Sequence, residues 1–117
     1  AGVGPWQTVS LEQVAGWNPD MIFIHGLSQL TVQDVLNNPD WKDLKAVKEK
    51  KVYKVFAVST GYDPSMLVLS TMQMAKIMYP DKFDFDFNKE AEEVCKQIYG
   101  MEGLFAYMES EFGVSNV

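Results

Sequence analysis

Val52-Tyr53-Lys54-Val55-Phe56-Ala57-Val58-Ser59-Thr60-Gly61-Tyr62-Asp63-Pro64 decides the fold. Its first half is rich in β-branched and aromatic residues and reads as a buried strand. Its second half is a polar loop, and the loop feeds a long apolar helix starting near Ser65. A strand that runs through a loop into a helix is the repeating step of an open α/β sheet. In such sheets ligands sit at the loops leaving the carboxyl ends of the strands. Ser59, Thr60, Gly61 and Tyr62 are therefore expected on a binding lip. Tyr62 is the strongest candidate there, because a planar amphipathic ring grips a ligand at low entropy cost.

A second strand lies upstream. Met21-Ile22-Phe23-Ile24 is a short continuous apolar run, as expected of a parallel strand covered on both faces. It exits into His25, Gly26, Leu27 and Ser28, a second strand-end loop. For His25 a hydrogen bond to nearby backbone and a contact to ligand are both open. The 26 residues from Gly26 to Lys51 suffice for a right-handed helical crossover between parallel strands.

The remaining elements follow from local signals. Ser10 and Gln13 form a capping-box pattern ahead of a helix from about Leu11 to Trp17, with Leu11, Val14 and Ala15 inward and Glu12 outward. Asn18-Pro19-Asp20 ends it. Thr31 is expected to cap Val32–Asn37, with Asp34 in the favourable first turn. Trp41 to Val47 reads as a further short helical turn or two, and Lys48 to Lys51 as a charged turn. The helix from Ser65 to Met78 is apolar nearly all round, with only Gln73 and Lys76 strongly polar, and so is expected to be buried. Its methionines suit core packing better than a soft-metal site, having no histidine or cysteine beside them. Asp84-Phe85-Asp86-Phe87 reads as an extended connector. Asn88 is expected to cap a helix to Tyr99, ended by Gly100, and Glu102 to Phe112 to form a last helix.

Bulk composition narrows the function. With 117 residues, 47% of them hydrophobic, the chain is one globular domain. Its net charge of −6 and the lack of a basic patch argue against nucleic acid and against anionic membranes. Cys95 is the single cysteine, so there is no internal disulfide. No apolar run approaches the roughly 20 residues that span a bilayer. The chain opens on Ala1 without a signal-peptide pattern, as a processed protein or an excised piece would. No nucleophile motif, phosphate-binding loop or zinc-protease motif occurs, so an enzyme is disfavoured, and neither a metal site nor a cofactor is expected.

Val9-Ser10-Leu11-Glu12-Gln13-Val14, Trp17-Asn18-Pro19-Asp20-Met21-Ile22-Phe23, Pro39-Asp40-Trp41-Lys42-Asp43-Leu44-Lys45-Ala46-Val47-Lys48, Lys51-Val52-Tyr53 and Met78-Tyr79-Pro80-Asp81-Lys82-Phe83 occur in that order. Together, from about Val9 to Tyr99, they resemble the C-terminal lobe of ABC-transporter substrate-binding proteins of the iron-siderophore, haem and cobalamin type. The resemblance implies a three-layer, Rossmann-like α/β lobe with a short parallel sheet flanked by helices. The lobe is incomplete relative to the family. It also implies an opposite lobe, a rigid helix between the two, and a metal-chelate ligand in the cleft between them. By the same resemblance the ligand is expected to pass to a membrane permease, and the protein to work outside the cytoplasm, in the periplasm or anchored at the cell surface. Glu12 corresponds to the glutamate that docks on permease arginines. The two strand-end loops, His25 to Ser28 and Ser59 to Tyr62, correspond to the ligand contacts. Relatives often place an arginine or tryptophan in the second loop; this chain has no arginine, and its tryptophans lie elsewhere. A two-stranded sheet also leaves edges, and the chain is expected to self-associate through a sheet edge or its apolar face. A concentration-independent monomer mass in sedimentation would count against that. The alternatives are a small α/β enzyme domain for a nucleotide or small acid, and a standalone interaction module.

Overall fold

The structure, a computed structural model, describes residues 7–56 and 63–112. The elements run α1 (Leu11–Trp17), β1 (Ile22–His25), α2 (Val32–Asn37), α3 (Lys45–Lys48), β2 (Val52–Val55), α4 (Pro64–Met78), α5 (Phe87–Tyr99) and α6 (Leu104–Phe112). Among the described residues the two strands form one parallel sheet, with Ile22 opposite Val52 and His25 opposite Val55. The expected α/β lobe with a short parallel sheet flanked by helices is thus present.

Local sequence explains most element ends. Ser10 accepts from the Gln13 backbone at 3.2 Å and Gln13 Oε1 accepts from the Ser10 backbone at 2.9 Å, so α1 opens on a complete capping box. Asn18 closes α1 in the left-handed conformation at φ 43°. Thr31 and Asp34 cap α2 in the same reciprocal way. Gly100, at φ 67°, closes α5 where a side chain would be strained.

Several local expectations shift: α3 is confined to Lys45–Lys48, and α6 starts at Leu104 rather than Glu102. Ala15 is exposed rather than inward. Helix α4 starts one residue early, capped by Asp63, and Ser65 itself is buried. Helix α5 is capped by Asp86, which accepts from the Lys89 backbone at 3.1 Å, so Phe87 is its first residue rather than part of a connector.

Alternation along the strands sorts their side chains between two faces. Ile22, Ile24 and Val52 pack with Val35, Leu44 and Val47 under α2 and α3. On the other face Phe23 and Tyr53 lie opposite each other, half-buried, with ring centroids 5.9 Å apart. A second core gathers Phe56, at the end of β2, with Leu69, Phe87, Ala91, Cys95, Phe105 and Met108 of α4, α5 and α6.

Helix α4 departs from the expectation of an apolar cylinder sunk in the core. Its buried residues are Ser65, Leu69, Ser70, Gln73 and Ile77, whereas Leu67 is 54% exposed. The helix lies against the free edge of β2 and meets unpaired backbone there, which demands polar partners. Gln73 Oε1 accepts from the Phe56 backbone N–H at 3.1 Å, and Gln73 Nε2 donates to the Lys54 carbonyl at 3.3 Å. The Ser70 hydroxyl donates to the Phe56 carbonyl. That edge of the sheet is occupied by side chains of α4.

Candidate functional site

The first lip is built by the turn after β1. Ser28 N–H donates to the His25 carbonyl at 2.8 Å, closing the turn, and Gly26 is buried within it. The Leu27 N–H points at His25 Nδ1, 3.4 Å away. Ser28 Oγ accepts from the Leu30 N–H at 3.1 Å, and the hydroxyl keeps its own hydrogen as a donor. Downstream the lip is pinned by Thr31, whose hydroxyl and backbone N–H both donate to Asp34 Oδ2, at 2.6 and 2.8 Å. These hydroxyl and backbone bonds hold Asp34's carboxyl below the usual carboxylate range. Leu27 and Leu30 are exposed, at 53% and 41%. The lip thus offers a half-buried imidazole, a serine hydroxyl and two apolar side chains. That set suits contact with a mixed polar and apolar ligand.

Beneath the lip stands a cation that the sequence reading did not single out. Lys54 lies beside Ile24 in the ladder and is 8% exposed, and its Nζ donates to the Ser28 carbonyl at 2.9 Å. A lysine inside the apolar run Val52–Phe56 was the available signal, since lysine is almost never buried without a partner.

Ser59, Thr60, Gly61 and Tyr62, expected on the second lip, lie outside the described residues. Immediately after them, Asp63 is held by two hydroxyls. Ser65 Oγ donates to Asp63 Oδ1 at 2.6 Å, and Tyr99 Oη, from the last residue of α5, lies 2.8 and 2.7 Å from its two oxygens. The Ser65 bond first, and then the Tyr99 bond, hold the Asp63 carboxyl below its ordinary value. For Tyr99 the Ser65 bond works to lower the phenol's pKa, but the Asp63 hydrogen bond, burial and Asp63's charge outweigh it and push the phenol up.

A carboxylate with a depressed folded-state pKa adds stability above its unfolded value of about 3.9, and that stability is lost as pH falls through the folded value. Asp63→Asn should therefore lower the thermal midpoint modestly at pH 7, and the gap from wild type should close on acidification below about pH 4. A gap that stays constant from pH 7 to pH 3 would show that charge is not what Asp63 contributes.

Glu12 is exposed in the first turn of α1. Among the described residues no group of three His, Cys, Asp or Glu side chains could hold a metal ion, and no helix is long and apolar enough to cross a membrane.

Comparison with known proteins adds a family match, two relatives and two solved structures. Residues 3–57 match the periplasmic binding protein family. The molybdate-binding protein MolA of Haemophilus influenzae is 33% identical over 103 residues, covering 85% of this chain and 29% of MolA. The Fe(3+)-citrate-binding protein YfmC of Bacillus subtilis is 47% identical over 49 residues, covering 41% of this chain and 16% of YfmC. Among solved structures, Helicobacter pylori CeuE in a Ni-His complex superposes with a TM-score of 0.68 at 30% identity, over 85% of this chain and 32% of CeuE. CeuE with Ni(II) bound matches with the same score. The chain thus spans about a third or less of the length of each relative.

Proposed function

We propose, for a chain that is a portion of a periplasmic binding protein, a role in the substrate-binding component of an ABC importer. There it supplies one side of the ligand cleft. The ligand is an iron compound or related metal chelate, such as a siderophore, haem or cobalamin, handed on to a membrane permease. The protein acts outside the cytoplasm and without catalysis. The observation that carries this reading is the first lip. His25 and Ser28 stand with exposed Leu27 and Leu30 on a tightly bonded turn at the carboxyl end of a parallel strand. The names of the relatives, which bind molybdate and ferric citrate or hold nickel with histidine, favour a small ligand containing a metal. His25, Gly26, Leu27 and Ser28 are the proposed contacts on this lip, and Ser59, Thr60, Gly61 and Tyr62 those on the second. Glu12 is the proposed permease contact.

A thermal-shift titration of the protein against haem, a ferric siderophore, cobalamin, ferric citrate and molybdate tests the reading. At least one probe should raise the midpoint steadily with the logarithm of its concentration. Mass action predicts a gain of about 2.7 kcal/mol at a hundred times Kd. The same probe offered to vesicles carrying the transporter reads delivery, and there Glu12→Ala should halt uptake while leaving probe binding as it was. Silence from every probe would sink the binding role, and undiminished uptake by the Glu12 variant would remove the docking assignment.

A further inference from the structure

We infer that Lys54 is the positioning residue of the first lip: it fixes where the His25–Ser28 turn stands relative to the second strand. The inference rests on the binding role proposed above for that lip, to which it adds a residue.

Three bonds meet at Ser28. Its N–H donates to the His25 carbonyl and its hydroxyl accepts from the Leu30 N–H; both are internal to the turn and fix only the turn's own shape. The third, from Lys54 Nζ to the Ser28 carbonyl at 2.9 Å, spans 26 residues of sequence and fixes the turn's placement on the sheet. Lys54 is suited to this by its register. It neighbours Ile24 in the ladder, so its stem lies on the face that packs Ile24, Val35 and Leu44, and the stem reaches the lip through apolar surroundings. A charge-assisted bond in so buried a place is stronger than its solvent-exposed counterpart. The same residue is held from the other side, where its carbonyl accepts from Gln73 Nε2 at 3.3 Å. Lys54 therefore joins the first lip to β2 and, through β2, to α4. The chain after β2 carries the residues proposed for the second lip.

Amide hydrogen exchange on the ligand-free protein tests the placement directly. Lys54→Met keeps the length and apolar stem but removes the donor. In that variant the amides of Leu27, Ser28 and Leu30 should exchange about tenfold faster or more, matching the loss of one charge-assisted hydrogen bond. The ladder amides of Ile24 and Val55 should exchange as in wild type. Affinity for ferric citrate or molybdate, whichever shifts the wild type more, should fall by a similar factor with little change in the thermal midpoint. Lys54→Arg, which can still donate to the Ser28 carbonyl, should recover part of both effects. Unchanged exchange in the lip, or faster exchange spread equally through the ladder, would overturn the inference and leave Lys54 a packing residue. Because exchange is read without ligand, the lip amides decide the positioning even where neither probe binds, and the binding role stands or falls separately on the full set of five probes.

Discussion

Replacing Phe87 with alanine should lower the stability of the protein by about 3–5 kcal/mol, the range for deleting a buried aromatic ring. Phe87 is 1% exposed and opens α5 directly after its Asp86 cap. Its ring meets Phe105 of α6 edge-on, with centroids 5.6 Å apart and planes at 84°, and lies 6.4 Å from Phe56 at the end of β2. Phe56 and Phe105 are themselves 5.6 Å apart, so three rings from three elements close one cluster. Aromatic pairs of this geometry add to what area burial alone provides. The loss should fall hardest on α6, whose buried residues among those described are Phe105 and Met108. Limited proteolysis should cut between α5 and α6 before the sheet opens, and urea unfolding gives the magnitude. Phe83→Ala is the control. That ring is 41% exposed and faces Phe85 at 6.5 Å, and its loss should cost far less. A Phe87 variant within about 1 kcal/mol of wild type, against the 3–5 expected, would mean that the cluster is not what joins α5 and α6 to β2.

The contrast between α1 and α4 shows which features the sequence makes legible. Helix capping is settled within four residues, and the Ser10–Gln13 and Thr31–Asp34 boxes form as their spacing predicts. The two strands were legible as continuous apolar runs between breakers, and so was the turn that leaves β1 at His25. The start of α5 misled because Asp84-Phe85-Asp86-Phe87 alternates like a strand, while Asp86 is already bonded to the Lys89 backbone. Helix α4 inverted the expectation for a tertiary reason. Its apolar content promised burial all round, yet what it meets is a strand edge, so Ser70 and Gln73 turn inward to that edge, Ser65 turns inward to Asp63 and Tyr99, and Leu67 turns out. Lys54 escaped notice in the same way, because the carbonyl it serves lies 26 residues away in sequence. Half of the expected ligand contacts, His25 to Ser28, form one turn; the other half lie outside the described residues.

Gln73→Leu follows from that inversion and should cost about 2–6 kcal/mol, the sum of two buried backbone groups left unpaired at about 1–3 kcal/mol each. The primary amide of Gln73 carries the same donor and acceptor pair as a peptide group. It binds the Phe56 N–H and the Lys54 carbonyl as one residue of a neighbouring strand would. Leucine fills nearly the same volume at a site that is 0% exposed, so packing changes little and the cost reads the polar pairing. Gln73→Glu separates donor from acceptor. Its carboxylate can still accept from Phe56 but cannot donate to Lys54, and it places a charge in a buried site. Burial raises the folded-state pKa of such a glutamate above its unfolded value of about 4.3, so the ionised form opposes folding at neutral pH. Acidification through the raised value relieves that cost and restores a donor. The Glu variant should therefore gain stability relative to wild type as pH falls from 7 toward 5, while the Leu variant keeps a constant deficit. Equal pH dependence in the two variants would mean that the edge of β2 is satisfied by groups other than Gln73. Since the Lys54 carbonyl is one of the two groups released, Gln73→Leu should also speed amide exchange at Ser28. An edge defect that leaves the first lip as protected as in wild type would separate α4 from the lip.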